Sequence, residues 1–298
     1  MATNSGVALG AEEPAPKYSE FRRVVGVFFR RKVSVFGFVV ITLAILTAIF
    51  APLLAPYDPL ATDFNAVTLD PNVQHLLGTD NIGRDVLSRI IYGAQTSLMV
   101  GLLALIAGAL IGQVLGLSAA YFGGWYETVV MRAIDAIMSV PPILSAMVIT
   151  AVLGGGMVNL IIALAFSEIP VQARLMSAQT LTVKQNDYIL AGRARGAGNL
   201  RIMLRHIVPN AYPPLLVAMT IDLGMIVLAE AGLSFLGIGI NPPTPSWGSM
   251  VSDGYRYIFT HPVLAIAPGA AIMLTVFAFS MAGDGLRDAL DPRLRGSS

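Results

Sequence analysis

The sequence predicts an all-α integral membrane protein with six transmembrane helices, on three observations. The chain has 298 residues, of which 55% are hydrophobic and only 12% are charged, whereas a soluble domain carries about 25% charged residues. Asp, Glu, Lys and Arg are absent from four windows, each longer than the ~20 residues that a spanning helix needs: residues 33–57, 90–126, 136–167 and 257–283. The basic residues, finally, concentrate in alternate loops between the apolar segments.

Six apolar segments fit between the charged loops. We place the helices at residues 33–54, 96–121, 125–153, 158–181, 212–236 and 262–286. Gly154, Gly155 and Gly156 lie between the third segment and the fourth, and glycine accepts the positive φ angles of a tight turn. Consecutive segments therefore cross the membrane in opposite directions.

The distribution of Lys and Arg predicts that both termini are cytoplasmic. Basic loops remain on the cytoplasmic side, and of the 19 Lys and Arg residues only Arg84, Arg89 and Arg256 fall outside in a six-helix arrangement. The predicted organisation has four parts: a cytoplasmic, partly disordered arm (1–32), a first transmembrane helix with a long extracytoplasmic loop (33–95), a core of five transmembrane helices (96–286) with a cytoplasmic loop (182–211), and a cytoplasmic tail (287–298).

The extracytoplasmic loop ends in a predicted helix. Apolar residues recur there at helical spacing behind Asp80 and Asn81, either of which is a suitable N-cap; they are Val86, Leu87, Ile90 and Ile91. One interpretation is an interfacial helix that leads into the second span. The other interpretation is a surface that contacts another protein outside the membrane.

The second span carries a stripe of small residues, four positions apart: Ala104, Gly108, Gly112, Gly116 and Ala120. Small residues on one helix face let another backbone approach closely, which is the main source of helix association in lipid. The stripe is therefore a predicted contact face. The contact could lie within the chain or at a subunit interface.

Four carboxylates in the apolar segments are candidates for a path through the membrane: Asp135, Glu168, Asp222 and Glu230. Ionisable groups inside a membrane are costly and point to function. Arg132 can pair with Asp135 three residues later, whereas the other three carboxylates have no obvious local partner. They could form a proton or cation path, pair with arginines of a second subunit, or face a water-filled cavity.

The loop at residues 187–210, "DYILAGRARGAGNLRIMLRHIVPN", predicts two short helices on the cytoplasmic surface. The first runs over residues 188–195 and "GAG" (196–198) breaks it. Asn199 stands where an N-cap would begin the second helix, and Pro209 would end it. The second helix has one apolar face and one basic face: Leu200, Met203, Leu204 and Ile207, then Arg201 and Arg205. Basic residues alone are enough to set the orientation of the spans in the membrane. Two capped helices are not needed for that purpose.

Several classes of function are excluded by composition. The chain has no cysteine, a net charge of +1, and only three scattered histidines, so neither a metal cluster nor nucleic-acid binding is expected. A Walker A loop needs Gly-Lys followed by Ser or Thr, and none of Lys17, Lys32 and Lys184 follows a glycine. The chain is therefore not expected to be an enzyme or to hold a cofactor, and energy must come from a partner or an ion gradient.

The loop resembles the cytoplasmic Glu-Ala-Ala loop of ABC importer permeases. Its glycine and its His-x-x-Pro-Asn correspond to Gly196, His206, Pro209 and Asn210. From about residue 22 to residue 295 the chain is similar to the second, C-type permease of the dipeptide/oligopeptide/nickel family. The motifs are "LGTDNIGRDVLSRIIYGAQTSL" (77–98), "SFLGIGINPPTPSWGSM" (234–250) and "GDGLRDALDPRL" (283–294).

The resemblance implies a type I ABC importer permease fold with short cytoplasmic coupling helices. In this chain the ATPase-coupling loop comprises Leu190, Ala191, Gly192, Arg195, Gly196, Asn199, Arg201, Arg205 and His206. Residues 190–192 replace the family's Glu-Ala-Ala, and Arg195 replaces an apolar residue. The chain thus lacks the glutamate for a salt bridge to the ATPase, but it keeps the turn glycine.

The resemblance also implies partners and a location. The expected partners are a homologous B-type permease, two ABC ATPase subunits that bind ATP and Mg, an extracytoplasmic substrate-binding protein and the lipid of the bacterial inner membrane. Peptide is the expected cargo, by prevalence within the family. The alternative is an ion-gradient-driven transporter or channel that uses the intramembrane carboxylates.

Overall fold

The computed structural model describes residues 17–290, and side chains from Arg22 onward. The predicted disorder of the first residues and most of the predicted tail lie outside this range. Within it the chain forms a five-residue π-helix (Met203–Ile207) and twelve α-helices: α1 (Lys17–Arg30), α2 (Lys32–Ile49), α3 (Ala51–Leu54), α4 (Val86–Phe122), α5 (Gly124–Met138), α6 (Pro142–Leu153), α7 (Met157–Lys184), α8 (Asp187–Ala194), α9 (Asn199–Ile202), α10 (Val208–Phe235), α11 (Trp247–Tyr255) and α12 (Val263–Leu290).

The predicted all-α membrane architecture is confirmed, with one change in the third span. Five segments in the described range are long and apolar enough to cross a membrane, and α5 and α6 make a sixth that is bent by 84°. The straight helix predicted at residues 125–153 is wrong, because Pro141 and Pro142 interrupt it. Proline lacks an N–H group and disfavours the helical conformation in the residue before it, so the helix ends and restarts there.

The second span is longer than predicted because it includes the helix of the outer loop. α4 runs without a break from Val86 to Phe122. Its N-cap is Asp85, whose side chain accepts a hydrogen bond from the Ser88 N–H at 2.7 Å, so neither Asp80 nor Asn81 has the predicted role. Asp80 instead accepts a 2.6 Å hydrogen bond from Arg84 Nε and fixes the turn before the helix.

The small-residue stripe of α4 packs against α7 of the same chain. A methyl group added at Gly108 would lie 2.6 Å from the carbonyl oxygen of Ala165, and one at Gly112 would lie 3.0 Å from the backbone nitrogen of Ala173. One added at Gly116 would overlap the carbonyl of Ala173. The two backbones touch along this line, so the within-chain alternative describes the contact.

The remaining spans surround this pair. α12 packs against α10 and α2, and both α2 and α10 contact α4. At the end of the bundle that carries residues 154–156, Gly154 and Gly156 have φ angles of 86° and 127°, as the predicted tight turn requires.

One helix, α11, was not predicted from the sequence. Its N-cap Ser246 forms a capping box with Ser249. Its Trp247 donates a 3.0 Å hydrogen bond from Nε1 to the Ile90 carbonyl.

Replacing Gly112 with Leu is expected to separate α4 from α7 and to reduce the yield of folded protein in detergent. The matched control is Gly269→Leu, since Gly269 lies inside α12 and no heavy atom stands within 4 Å of an added methyl group. Size-exclusion chromatography and thermal unfolding measure the difference. Equal yield and stability of the two variants would contradict the close contact.

Candidate functional site

The basic loop forms a compact element, residues 187–207, at one end of the bundle. We call it the basic element, and the end that carries it the basic end. It contains α8, a turn, α9 and the π-helix. At the turn Gly196 has a φ of 81°, which favours glycine, and no other atom lies within 4 Å of a methyl group added there. The predicted turn is confirmed, and the constraint within this chain is the backbone conformation.

Three isoleucines anchor the basic element in the bundle. Ile189, Ile202 and Ile207 are at most 1% exposed. They form one core cluster with residues of three spans, including Leu117, Tyr121, Met176, Val183, Ala211 and Leu215. The predicted apolar face was partly wrong, because Leu200 and Leu204 are 65% and 57% exposed.

Asn199 and Pro209 have different roles from those predicted. The N-cap of α9 is Gly198, and Asn199 is the first residue of the helix; its Oδ1 accepts a 2.9 Å hydrogen bond from the Tyr121 hydroxyl. Pro209 does not end the helix, because α9, the π-helix and α10 follow one another without a gap over residues 199–235. Proline lies in the first turn of α10, where its missing N–H is tolerated.

Tyr121, near the end of α4, joins the basic element to two spans. Lys184, the last residue of α7, donates hydrogen bonds from Nζ to the carbonyls of Ala120 and Tyr121 at 3.1 and 2.8 Å. These carbonyls belong to the last turn of α4, where a cation is favourable. The Arg193 guanidinium of α8 lies 5.5 Å from the centre of the Tyr121 ring. Tyr121 therefore contacts α7 through its backbone carbonyl, and α8 and α9 through its side chain.

The opposite face of the basic element exposes apolar side chains among arginines. Leu190 is 59% exposed, and Tyr188 is exposed beside it. Arg195, Arg201 and Arg205 are exposed as well. His206 is half-buried, and its carbonyl accepts a 2.6 Å hydrogen bond from Asn210 Nδ2. An exposed face of this composition is typical of a protein contact.

Two of the four predicted carboxylates lie together in the middle of the bundle. Gln172 donates hydrogen bonds from Nε2 to Glu168 Oε1 at 2.8 Å and to Asp222 Oδ2 at 3.0 Å. Gln113 of α4 donates to Gln172 Oε1 at 3.2 Å and so orients its amide. Gln172 follows Glu168 by four residues on α7, a local pairing that was not predicted, and the same amide reaches Asp222 of α10 across the bundle.

Glu168 and Asp222 line a pocket of about 400 Å³ between α6, α7 and α10. The other lining residues are mostly apolar, and they include Pro142, Ile143, Val171, Met225 and Leu228. Ile143, Val171, Met225 and Leu228 are exposed in the single chain. The pocket therefore has polar groups inside and an apolar rim that is open to the surroundings.

The other two predicted carboxylates lie elsewhere. Asp135 forms an ion pair with Arg132 at 3.7 Å, as predicted, and a second one with Arg174 of α7. Glu230 is fully buried and accepts a 2.7 Å hydrogen bond from the Ser234 hydroxyl. Neither residue lines the pocket. Within residues 17–290 no group of three His, Asp or Glu side chains is arranged to hold a metal ion.

Comparison with known proteins assigns the chain to a family. The model of the binding-protein-dependent transport system inner membrane component matches residues 108–296. The model of the N-terminal TM domain of oligopeptide transport permease C matches residues 19–71. The first match covers more than half of the chain. The chain belongs to the family of binding-protein-dependent ABC importer permeases.

Individual relatives agree with this assignment. The dipeptide transport system permease protein DppC of Alkalihalophilus pseudofirmus is 38% identical over 284 residues, which cover 95% of this chain and 93% of the relative. The glutathione transport system permease protein GsiD of Escherichia coli is 43% identical over 270 residues, 90% of this chain and 89% of the relative. A solved structure, the MetNI methionine ABC transporter in inward-facing conformations, contains a chain of similar fold. That chain superposes on this one with a TM-score of 0.55 and is 22% identical in sequence. The match covers 68% of this chain and 97% of the MetNI chain.

Family membership fixes the general role of the protein. It is a multi-pass permease subunit of the inner membrane, and the solved relative has the same type of fold. The permease is not an enzyme, since ATP is hydrolysed in partner ATPase subunits, and a substrate-binding protein is its other partner.

Replacing Tyr121 with Phe is expected to loosen the basic element without unfolding the permease. The change removes one hydroxyl whose hydrogen bond contributes about 1 kcal/mol, so amide hydrogen exchange in residues 187–207 should become about fivefold faster. Tyr126→Phe is the control, because the Tyr126 hydroxyl pairs with Ser118 at 3.1 Å, outside the basic element. Equal exchange rates in both variants would show that Tyr121 does not hold this element.

Proposed function

We propose that the permease is the C-type subunit of an ATP-driven importer of peptides or of peptide-like compounds such as glutathione. The basic element is its ATPase-coupling site. The main support for this proposal is that the basic element has one face buried in the bundle and another face that is exposed. Three isoleucines hold it in the bundle, while leucines and arginines remain exposed on its other face.

The exposed face fits a groove on an ATPase subunit. Leu190, Leu200 and Leu204 supply apolar area that is unfavourable in water, and the surrounding arginines supply charge for orientation. Leu190 replaces the family's glutamate, so apolar contact takes the place of a salt bridge at that position. Two ATPase subunits bind ATP with Mg, one beneath each permease of the complex. When the nucleotide-binding dimer closes, the basic element moves with the subunit that it contacts.

The cargo path lies at the open side of the pocket. A carboxylate pair facing lipid would be expensive, and the rim around Glu168 and Asp222 is formed by exposed apolar residues of α6, α7 and α10. A second, homologous permease of the B type covers this rim. The path then runs between the two subunits, with Glu168 and Asp222 on its wall.

The orientation follows from the charges and the position of the basic element. Arg287 and Leu290 of α12 line the same groove as Pro213 and Pro214 of α10, so the end of the last span lies at the basic end. Because ATPase subunits are cytoplasmic, the basic end and both termini are cytoplasmic in the proposed orientation. Residues 55–85 are then extracytoplasmic and available to the binding protein.

A gradient-driven transporter is the second candidate, and the observation that favours it is the pairing of Glu168 with Asp222 through Gln172. The two candidates differ in purified material. The importer requires stable association with ATPase subunits and ATP-dependent uptake. Uptake by the isolated permease in vesicles, driven by a proton or sodium gradient, would establish the second candidate instead.

The class of cargo is tested on the partner binding protein. Isothermal titration calorimetry with dipeptides, longer peptides and reduced glutathione measures its preference directly. Micromolar or tighter binding of one of these ligands is expected. Binding of sugars or metal chelates with no response to peptides would contradict the proposed cargo.

Replacing Gly196 with Val is expected to leave the permease in the membrane and to abolish transport. A left-handed conformation costs a side chain about 1–2 kcal/mol, and the β-branched valine more, so the turn changes shape. Gly196→Asn should restore part of the activity, because asparagine tolerates this conformation. Gly237→Val is the matched control, with a φ of 80° and open space, outside the basic element.

The measurement is ATP hydrolysis by the reconstituted complex with and without loaded binding protein. Stimulation should disappear in Gly196→Val and persist in Gly237→Val. If Asn fails as completely as Val, the ATPase approaches the glycine closely and backbone conformation is not the cause. Full stimulation and transport in Gly196→Val would exclude this turn as the coupling site.

Replacing Asp222 with Asn is expected to slow transport without disturbing assembly. The amide keeps the shape of the carboxylate and can accept the hydrogen bond from Gln172, but it removes one charge from the pocket wall. Asp284→Asn is the control, because Asp284 is exposed on α12 and does not line the pocket. Uptake of labelled cargo into vesicles is measured for both complexes. Unchanged uptake by the Asp222 variant would remove this residue from the path.

A further inference from the structure

The first helix of the chain is amphipathic and lies outside the functions described above. α1 has the sequence KYSEFRRVVGVFFR, with apolar residues on one side and three arginines on the other. Among its described side chains, Val25 and Phe29 are exposed on the apolar side, and Arg22 and Arg30 are exposed as well. A basic helix of this kind is typical of one that lies in a membrane interface.

The chain bends between α1 and α2, so that α1 does not continue the first span. Arg31 separates the two helices and has an extended conformation, with φ −89° and ψ 114°. Phe28 and Phe29 of α1 lie 6.2 and 5.5 Å from the ring of Phe38 in α2. Residues nine apart in a continuous helix would be about 13 Å apart along its axis. The ring contacts therefore show a bend that brings the end of α1 next to α2.

α1 is fixed at the basic end by contacts with the last span. A methyl group added at Gly285 of α12 would lie 3.1 Å from Phe28 and would also contact Ser34. Arg31 forms an ion pair with Asp288, one turn further along α12. Because α12 ends at the basic end, α1 lies at the membrane boundary on that side.

Five basic residues are distributed along α1 and the start of α2: Arg22, Arg23, Arg30, Arg31 and Lys32. Among the side chains that the structure describes, only Arg31 of these five pairs with a carboxylate. Arg22, Arg30 and Lys32 are exposed. Next to them Val33, Phe36 and Phe38 are exposed and apolar, as expected of a surface in contact with acyl chains. The cations thus border a hydrocarbon-facing surface.

We propose that α1 and the start of α2 bind the headgroups of anionic phospholipids. Fixing topology requires only that basic residues be present in the arm. It does not require an amphipathic helix that is bent away from the first span, held to α12 and lined with apolar residues on one side. Phosphate is the matching group for clustered arginines, and a cluster of four to eight basic residues beside a span is typical of anionic-lipid binding.

The test uses the purified full complex in phosphatidylcholine vesicles that contain trace amounts of spin-labelled lipid. Electron paramagnetic resonance gives the relative association constant of labelled phosphatidylglycerol against labelled phosphatidylcholine. The wild-type complex should prefer phosphatidylglycerol, and the preference should weaken with added salt. In the variant R22Q/R30Q/K32Q the preference should fall by at least about fivefold, the contribution of one basic residue at an anionic surface.

Two controls separate charge from other effects. R22K/R30K keeps the charge and should keep the preference, whereas R256Q removes an exposed arginine outside the arm and should change nothing. If the triple variant does not assemble, R22Q alone and the salt dependence of the wild-type complex supply the same comparison. An undiminished preference in the triple variant would overturn the proposal.

Different results are expected if a protein or a soluble anion, and not a lipid, binds to α1 and the start of α2. Loss of an ATPase subunit from the triple variant, with the lipid preference intact, would identify a protein contact and contradict the proposal. Complete displacement of labelled phosphatidylglycerol by inorganic phosphate would identify a site for soluble anions and contradict it as well. Both readouts are independent of transport, so the failure of the proposed coupling site would leave this test unaffected.

Discussion

The close contact between α4 and α7 determines where both candidate functional regions lie. Gly108 faces Glu168 so closely that a methyl group would come within 2.6 Å of its Cβ, and Gly112 faces Gln172 in the same way at 3.0 Å. The small residues of α4 thus determine how closely Glu168 and Gln172 of α7 approach α4. Larger residues there would move α7, and with it the pocket wall.

The same pair of helices carries the basic element. α7 ends at Lys184, which donates hydrogen bonds to carbonyls in the last turn of α4. The Tyr121 hydroxyl of α4 donates to Asn199, and its ring faces Arg193. α4 and α7 therefore connect the pocket to the basic element along their length. Because close-packed interiors transmit strain, we expect a displacement of that element to reach Glu168 through these two helices, whose backbones are in contact.

Much of this arrangement could be predicted because its signals are local. The small-residue stripe, the glycine turn at 154–156 and the positive φ of Gly196 each depend on a few neighbouring residues. Pro141 and Pro142 also carried a local signal for the bend in the third span, as Ser246 did for the cap of α11. The bend was not predicted because uniform hydropathy favours one uninterrupted span, and α11 was not predicted because it lies between two spans.

The remaining errors concern contacts between distant parts of the chain. Asn199 fits an N-cap by residue type, but its partner is Tyr121, 78 residues earlier. Gln172 joins Glu168 to Asp222, and the latter residue lies 50 positions further along the chain. Leu200 and Leu204 match a buried helical face by spacing, yet they are exposed, because burial of Ile202 and Ile207 turns the helix.

The central claim is that α4 and α7 move as one unit while the basic element follows the ATPase. The chain contains no cysteine, so spin labels can be attached at Leu110→Cys of α4 and Ile162→Cys of α7, both exposed positions. Electron paramagnetic resonance then measures the distance between the labels in the reconstituted complex, with and without ATP. The account predicts the same distance distribution in both states, although the complex changes conformation. A shift of several ångströms between α4 and α7 would contradict it.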